Sequence, residues 1–436
     1  MSPSHVLPAT PDRPLVVVGS GPIGLAAAAH AVERAVPVVV LEAGDEVAAA
    51  VRAWGHVRLF SPWSELVDDA AARLLEPTGW TRPTGEEPPT GAAWVEDYLV
   101  PLAAALRAAG AEVRTGHRVV GLARQGRDRL VAQGREQVPF TVHVEAPEGR
   151  RRLTASSVVD ASGTWSGPGP LGADGYPAAG EDEHADRIAH AVPDLTDPRV
   201  RARYAGRHVA VAGAGASAHN VLVDLGRLAE DEPRTRVTWL LRRDGVGHAF
   251  GGQDNDELVE RGRLGARARS VVESDAVTTL TGFRTVSVEA GPGGALTLAS
   301  LDGQRVEGVD EVVVVTGFRP DHTWLAEVQL DLDGELSAPA KLAPEIHPAF
   351  HSCGTVSPHG ADLLRQPEEG LYLAGMKSYG RAPSFLALTG FEQVRSIVAE
   401  VAGDHESAAR VELVLPETGV CGVGSAYAED GGGCCG

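Results

Sequence analysis

The chain has 436 residues, of which 43% are hydrophobic, and its formal net charge is −20 at pH 7. A chain of that length can bury the cores of two or three domains, while its acidity disfavours nucleic acid and anionic membranes as partners, because both attract clustered cations. It has only four cysteines and no N-terminal secretory pattern, so we expect a cytoplasmic protein without structural disulfides. Its apolar runs end well before the ~18 residues that crossing a bilayer requires.

Residues 14–44 predict a strand, a helix and a second strand in succession. Two short valine-rich runs, Leu15–Val18 and Val38–Leu41, enclose an alanine-rich stretch of helical length at residues 23–34. Glycines spaced G-x-G-x-x-G lie between the first strand and the helix, and an acid ends the second strand. This arrangement is typical of a dinucleotide site, in which the pyrophosphate binds at the helix N-terminus and the acid binds a ribose. The predicted cofactor-binding residues of this segment are Gly19, Gly21, Pro22, Ile23, Gly24, Glu42 and Ala43.

A second copy of this plan follows at residues 207–245. A strand at His208–Ala212 leads into two glycines and an alanine at the third glycine position, and the next strand, residues 237–241, ends in two arginines. Arginine at that point suits a ribose 2′-phosphate and so favours NADPH over NADH. The alternative is that both arginines are solvated surface charges. The predicted cofactor-binding residues here are Gly213, Gly215, Ala216, Ser217, Ala218, Arg242 and Arg243.

Each copy is followed by alternating stretches that lead into a buried strand. After the first copy these stretches are residues 112–122 and 140–146, with a third that leads into residues 157–163. After the second copy they are residues 285–290, 295–300 and 311–321. Alternation with a period of two predicts β-meanders, and a glycine- and proline-rich linker separates the copies. We therefore predict an α/β protein with two Rossmann-like dinucleotide-binding domains, each with a β-meander.

Over residues 14–403 the chain resembles the flavoproteins with two dinucleotide-binding domains, a superfamily that includes flavin-containing monooxygenases, thioredoxin reductases and mercuric reductases. The resemblance implies that the first glycine motif holds FAD, that the second holds NADPH in an inserted domain, and that residues 369–403 return to close the FAD site. The implied regions are an FAD-binding domain at 1–165 and 326–415, an NADPH-binding domain with its linkers at 166–325, and a flexible cysteine-containing tail at 416–436. The further cofactor contacts that the resemblance implies are Val119, Ala161, Ser162, Gly163, Gly317, Gly375, Met376, Ser384 and Phe385.

Two features separate this chain from the disulfide reductases of that superfamily. Those enzymes carry a cysteine pair beside the flavin, either C-x₄-C after the first glycine motif or C-x₂-C in the NADPH domain, and this sequence has neither. Residues 48–66 instead resemble the apolar, aromatic flavin-facing wall of the monooxygenases, and Met376 replaces the aspartate that is usual in the reductases. This wall adds four cofactor contacts, Arg52, Trp54, Leu59 and Phe60. The monooxygenase fingerprint F-x-G-x₃-H is absent, and its region holds His184, Asp186, Arg187 and His190.

The most specific resemblance is to the monooxygenase-like flavoproteins associated with bacterial arsenic resistance. It rests on YAGRHVAVAGAGASAHN at 204–220, GMKSYGRAPSFLALTGFEQVRS at 375–396 and VELVLPETGVC at 411–421. It implies an FAD- and NADPH-dependent enzyme that acts on, or near, trivalent arsenicals. Oxygen as the electron acceptor would make the enzyme a monooxygenase of a soft sulfur or arsenic atom, whereas a disulfide or metal ion would make it a reductase. A third interpretation is a metalloid-binding sensor or chaperone.

Polar residues near the closing segment are the candidates for contact with the substrate. A loop at 347–360 contains three histidines and one cysteine, and its prolines and glycines make it irregular. Its histidines therefore need not share a helix face, which argues against a metal site. For each candidate the alternative is packing or ion pairing. The predicted catalytic residues are Cys353, His359, Lys377 and Arg381.

Two adjacent cysteines follow three glycines at the C-terminus. Thiolates are ligands for soft metals and metalloids, and a glycine-rich segment is flexible enough to bring the pair towards a third thiol. We therefore predict a metalloid site made of Cys421, Cys434 and Cys435. It would gather a thiophilic substrate while FAD and NADPH carry the chemistry. The sequence leaves the oligomeric state open.

Overall fold

The computed structural model describes residues 6–251, 258–274, 276–348, 357–383 and 385–413. These residues form two compact units. Unit 1 consists of the described residues up to 166 and from 320 onwards, and unit 2 consists of those between 167 and 319. The chain thus leaves unit 1 once and returns to it once.

The strands of both units are short and mostly apolar. Numbered in chain order, they are β1 (Leu15–Val18), β2 (Val38–Leu41), β3 (Glu112–Arg114), β4 (Arg118–Arg124), β5 (Phe140–Ala146), β6 (Gly149–Ala155), β7 (Ser157–Asp160), β8 (Ile188–Ala189), β9 (His208–Ala212), β10 (Arg236–Leu240), β11 (Val277–Leu280), β12 (Thr285–Ala290), β13 (Leu296–Ser300), β14 (Arg305–Val309), β15 (Glu311–Val314) and β16 (Leu371–Leu373).

The helices vary more in length. They are α1 (Pro22–Glu33), α2 (Ala49–Ala53), α3 (Trp63–Leu66), α4 (Asp69–Leu75), α5 (Gly91–Trp94), α6 (Val100–Ala108), α7 (Pro198–Tyr204), α8 (Ala216–Asp231), α9 (Val259–Val272), α10 (Ala343–Ile346), α11 (Ala361–Leu364), α12 (Met376–Tyr379), α13 (Ala387–Val401) and α14 (His405–Ala409). A π-helical turn, Val95–Leu99, joins α5 to α6. Among the described residues, no helix combines the length and the apolar character that crossing a membrane requires.

Unit 1 is built on a parallel sheet of five strands in the order β16-β7-β1-β2-β3. The three inner strands are completely buried, because both faces of the sheet are covered. Val17 and Val40 share a core with the helices on one face, and Val16 and Val39 share a core with the meander on the other. Their carboxyl ends meet at one edge, where Val18 pairs with Leu41 on one side and with Asp160 on the other. The antiparallel meander β4-β5-β6 forms a second, smaller sheet.

Unit 2 repeats this order in four strands, while its fifth strand, β8, precedes the other four in the chain rather than following them. Its parallel sheet has the order β11-β10-β9-β15-β8, and its meander is β12-β13-β14. The central strand β9 is completely buried between β10 and β15, and α8 packs against α9 beside the sheet. The shared strand order confirms the prediction of two Rossmann-like domains, each with a meander.

The structure corrects the predicted composition of both meanders. Residues 112–122 were expected to form one meander strand, but β3 joins the parallel sheet and only β4 joins the meander. Gly116, with φ at +67°, lies between the two strands and allows the chain to turn there at little steric cost. In unit 2 the third meander strand is β14, which the sequence analysis did not predict.

Candidate functional site

The three glycines of the first motif have three different roles. Gly19 has φ at +100°, and a Cβ at this position would be 2.7 Å from the carbonyl oxygen of Ala161. A Cβ on Gly24 would be 1.9 Å from the carbonyl oxygen of Gly19, so this glycine allows α1 to pack closely on the turn. A Cβ on Gly21 would meet no atom of the described part of the chain within 4 Å. The space beside Gly21 is therefore open to a ligand that approaches the backbone.

The first turn of α1 lies beside this opening, and no side chain of the described residues caps it. Gly21 is the N-cap, and its position provides no side-chain hydrogen bond to the first turn. Pro22 occupies the first helical position, where the missing N–H costs little. Free amides and the positive end of a helix dipole form a site for an anion. The first turn thus suits the pyrophosphate of a dinucleotide.

Glu42 is fixed beside the same turn. Its carboxylate accepts hydrogen bonds from the backbone N–H of Ser20 at 2.9 Å, from the hydroxyl of Ser20 at 2.8 Å and from the backbone N–H of Gly44 at 2.9 Å. The backbone carbonyl of Glu42 accepts from the N–H of His117 at 2.7 Å, which brings the start of β4, with the predicted contact Val119, to the same end of the sheet. An acid held in this way suits a ribose hydroxyl.

The strand end after β7 carries a buried polar network. Asp160 is 0% exposed, and its Oδ1 accepts from the backbone N–H of Ser162 at 3.0 Å and from its hydroxyl at 2.6 Å. The ammonium of Lys377, a residue 1% exposed, lies 3.1 Å from Asp160 Oδ2 and donates to Ser162 Oγ at 3.0 Å. It also donates to the backbone carbonyl of Asp321 at 2.6 Å. Lys377 therefore has an internal partner set rather than an open approach to solvent.

The closing segment packs directly on the first motif. Gly375 has φ at +67°, and a Cβ there would be 3.2 Å from the side chain of Ile23. In α13, a Cβ on Gly390 would be 2.4 Å from Ile23 and 2.7 Å from Phe385. The predicted residues Ile23, Gly375, Met376 and Phe385 are thus brought together, with Met376 beginning α12 immediately after Gly375.

Gln393 holds this arrangement from α13. Its side-chain carbonyl accepts from the backbone N–H of Gly375 at 2.7 Å, and its amide donates to Ser378 Oγ at 2.9 Å and approaches His359 Nε2 at 2.8 Å. Because the carbonyl oxygen is already engaged by an N–H, the amide nitrogen must be the group that donates to His359. Gln393 is completely buried.

His359 is correspondingly a neutral acceptor. Its Nδ1 lies 3.0 Å from the backbone carbonyl of Ser357, so the proton belongs on Nδ1 and Nε2 accepts from Gln393. Burial lowers the pKa of His359, which keeps the ring neutral at pH 7. The imidazole ring lies 5.8 Å from the ring of Tyr379 in a tilted arrangement, and the ring of Tyr379 packs edge-on against that of Phe385. His359 is thus placed to support the closing segment.

The predicted aromatic wall is anchored to residues 88–96. Trp54 lies over Gly91, where a Cβ would be 2.6 Å from the indole ring. The backbone N–H of Leu59 donates to the carbonyl of Pro89 at 2.9 Å, and Arg52 forms an ion pair with Glu96 at 2.6 Å. Phe60 is half-buried, whereas Arg381, a predicted catalytic residue of the closing segment, is exposed.

The glycine motif of unit 2 has the same design with one substitution. Gly213 has φ at +140°, and a Cβ there would be 2.3 Å from the carbonyl oxygen of Val315. Among the residues that the structure describes, none has an atom within 4 Å of a Cβ on Gly215 or on Gly317. Ala218 fills the third glycine position and is completely buried. The motif leads into α8 with Ala216 and Ser217, again without a side-chain cap.

The two arginines after β10 differ in exposure. Arg242 is exposed and donates to the backbone carbonyl of Ala173 at 3.2 Å, and Arg243 is half-buried and has partners. His219 lies in the first turn of α8, and burial lowers its pKa to about 4. Its ring is 5.9 Å from that of Phe250. The other four residues noted between the domains, His184, Asp186, Arg187 and His190, all lie in unit 2, and Arg187 donates there to the carbonyl of Asp310.

Some predicted residues cannot be compared with the structure. Cys353, Ser384, Cys421, Cys434 and Cys435 lie outside the described residues. Within the described ranges, no group of three or more His, Cys, Asp or Glu side chains is arranged to hold a metal ion.

Four residues of the site were missed by the sequence analysis. They are Ser20, Asp160, His219 and Gln393. Asp160 gave a signal, since an acid inside the buried run SVVDASG requires a partner. Ser20 stands inside the first glycine motif and His219 directly follows the second, and neither was predicted although their neighbours were. Gln393 gave no local signal, because Thr389, Ser396 and Glu400 at helical spacing from it are polar as well.

Comparisons with known proteins identify the family and the fold of this chain. Residues 16–341 match the family described as pyridine nucleotide-disulphide oxidoreductase. No curated protein matches the sequence. Similar solved structures include the bacillithiol disulfide reductase Bdr (YpdA) from Bacillus cereus, with 18% identity, a TM-score of 0.65, and coverage of 90% of this chain and 99% of that one.

Two further structures belong to oxygenating enzymes. A flavin-containing monooxygenase from Stenotrophomonas maltophilia has 20% identity, a TM-score of 0.54, and coverage of 90% of this chain and 98% of that one. The ornithine N-hydroxylase from Kutzneria sp. 744 has 18% identity, a TM-score of 0.55, and coverage of 91% and 99%. At these identities the likeness establishes the fold alone.

Proposed function

We propose that this chain, which belongs to the pyridine nucleotide-disulphide oxidoreductase family, is an NADPH-dependent flavin monooxygenase that acts on a soft nucleophilic atom, either sulfur or trivalent arsenic. Its cofactors are FAD and NAD(P)H. We assign FAD to unit 1 and the nicotinamide nucleotide to unit 2.

The residues of unit 1 fit FAD. The open space beside Gly21 and the uncapped start of α1 would receive the pyrophosphate, and Glu42 would bind a ribose. When bound, FAD supplies the two-electron chemistry between the nicotinamide and the acceptor. The chain's own contribution is to orient that group, through Ser162 and the closing segment, and to exclude water with the aromatic residues around Trp54.

The distribution of cysteines is the observation that carries the choice of acceptor. The first 352 residues contain none, so neither glycine motif has a thiol pair in its neighbourhood in the sequence. A disulfide reductase exchanges electrons between the flavin and such a pair. Oxygen as the acceptor takes electrons from the flavin without any protein thiol. In the proposed reaction one atom of O₂ enters the substrate as an S=O or As=O bond, the other leaves as water, and NADPH and one proton are consumed.

The preference for NADPH rests on Arg242 and Arg243. Both follow β10, at the end of the sheet where the glycine motif of unit 2 begins. A guanidinium at this position suits a 2′-phosphate, whereas an acid would repel it.

The second candidate is a reductase that uses Cys434 and Cys435. It is favoured by the adjacent thiols after three glycines and by the fold that this chain shares with a bacillithiol disulfide reductase. With Cys421, the same thiols also suit a metalloid-binding sensor or chaperone.

Isotope labelling separates these functions. The FAD-loaded protein is supplied with NADPH, ¹⁸O₂ and either a thioether or a trivalent organoarsenical. We expect ¹⁸O in the product and equal consumption of NADPH and O₂, with the same result for a Cys434→Ser/Cys435→Ser variant. Anaerobic reduction of a disulfide that disappears in this variant would replace the proposal with the reductase, and arsenical binding without any NADPH consumption would replace it with the sensor.

A further inference from the structure

Lys377 forms three interactions in the interior of unit 1. Its ammonium lies 3.1 Å from Asp160 Oδ2, 3.0 Å from Ser162 Oγ and 2.6 Å from the carbonyl oxygen of Asp321. An ammonium has three N–H groups, of which two donate to Ser162 and Asp321, while Asp160 balances the charge as an ion pair. The ring of Trp324 lies 5.9 Å from the same nitrogen.

The partners of Lys377 mark both places where the chain passes between the units. Ser162 stands shortly before unit 1 ends at residue 166, and Asp321 is the second residue after the chain returns at residue 320. Lys377 itself belongs to the closing segment, 215 positions beyond Ser162. The ammonium of Lys377 therefore links three stretches of unit 1. They are the outgoing crossing around Ser162, the returning crossing around Asp321, and the closing segment that contains Lys377 itself.

Stability alone does not account for this pair. Removing a lysine and an aspartate from water costs several kcal/mol per ion, and apolar residues of similar volume often serve a buried site equally well or better. An ammonium forms directional hydrogen bonds, which apolar residues cannot, and here they hold a hydroxyl and a carbonyl at fixed positions. The hydroxyl is that of Ser162, which also donates to Asp160, so the position of Ser162 is determined from two sides.

We propose that Lys377 is a positioning residue, which fixes the stretch Ala161–Gly163 against FAD by holding both crossings of the chain at one point. The inference rests on the placement of FAD in unit 1 that the proposed function contains. Loss of the ammonium releases Ser162, and with it the backbone that lines the cofactor, while the rest of the fold remains.

The test uses the FAD-loaded protein without NADPH or substrate. In the double variant Lys377→Met/Asp160→Asn both charges are removed together, so no ion is left buried without a partner. We expect FAD to dissociate about tenfold more readily, the visible circular dichroism of the bound flavin to change, and hydrogen exchange to increase in residues 161–166 and 320–323.

Arg124→Met is the matched control. Arg124 is as buried as Lys377, and its partner Glu368 keeps Arg135, so this variant should lose stability without a change in the flavin spectrum. If the double variant does not fold, Ser162→Ala removes a single acceptor and should shift the spectrum in the same direction. Unchanged FAD affinity and unchanged exchange at both crossings in a folded variant would overturn the proposal. Failure of wild-type NADPH oxidation would instead refute the proposed function.

Discussion

The two units share a strand order and a glycine turn but differ in how closely the helix meets that turn. In unit 1 a Cβ on Gly24 would be 1.9 Å from the carbonyl oxygen of Gly19. In unit 2 the equivalent position is Ala218, whose Cβ is accommodated and completely buried. The same topology thus tolerates two helix placements, and only the first requires glycine at its third position.

The units also differ in the polarity around the turn. Leu25, in the first turn of α1, corresponds to His219 in α8. Glu42 directly follows β2, whereas Leu241 occupies the matching position after β10 and the first charged residue there is Arg242. The backbone thus determines that a dinucleotide can bind, while a few side chains at the strand and helix ends determine which one. Three substitutions test this division, in order of decreasing effect.

Gly24→Ala should have the largest effect. The added methyl group cannot move away from a backbone carbonyl, so we expect the free energy of unfolding of unit 1 to fall by about 3 kcal/mol or more, with loss of FAD. Chemical denaturation and FAD release measure this effect. Ala218→Gly is the matched change in unit 2 and should cost only about 1 kcal/mol. Similar costs in the two units would contradict the difference in helix placement.

Acid should weaken unit 2 through His219. Burial lowers the pKa of His219 to about 4 in the folded protein, whereas it is about 6.5 in the unfolded chain. As the pH falls below 6.5, His219 is protonated in the unfolded chain but stays neutral in the folded protein. The free energy of unfolding therefore decreases, by about 2 kcal/mol at pH 5.

Hydrogen exchange of α8 at pH 7 and pH 5, corrected for the intrinsic rates, measures this change. The variant His219→Leu copies the residue that unit 1 has at this position, and its α8 should lose that part of the pH dependence. An identical loss of protection in the variant and the wild type would exclude His219 as the cause.

Arg242→Ala should have the smallest effect. If Arg242 meets the 2′-phosphate, its loss raises the KM for NADPH about tenfold, which corresponds to about 1.4 kcal/mol, and leaves the KM for NADH unchanged. Steady-state kinetics with both nucleotides provide the measurement. Arg236→Ala, at the opposite end of β10, is the control and should change neither. An equal increase for both nucleotides would remove Arg242 from the 2′-phosphate site.

The parts of the molecule that could be predicted from the sequence are those set by local pattern. Leu15–Val18, Val38–Leu41 and His208–Ala212 match the observed strands residue for residue, because short apolar runs between turn residues have few other solutions. The pairing of Lys377 with Asp160 depends on two distant segments meeting in the fold, and no local pattern contains that information. The sequence did not predict that residues 112–122 divide into β3 and β4, because both strands alternate in polarity and therefore look like one continuous strand.

The packing of α13 on α1 has a consequence for how the protein is made. All of unit 2 and most of unit 1 have left the ribosome before α13 is synthesised, since α13 spans Ala387–Val401. Until then Ile23, which Gly390 and Gly375 later cover, has no partner from the closing segment. Unit 2 is one continuous stretch and can fold during translation. The surroundings of Ile23 in unit 1 are therefore completed only once α13 has been made, and the side of α1 that faces α13 stays uncovered until then.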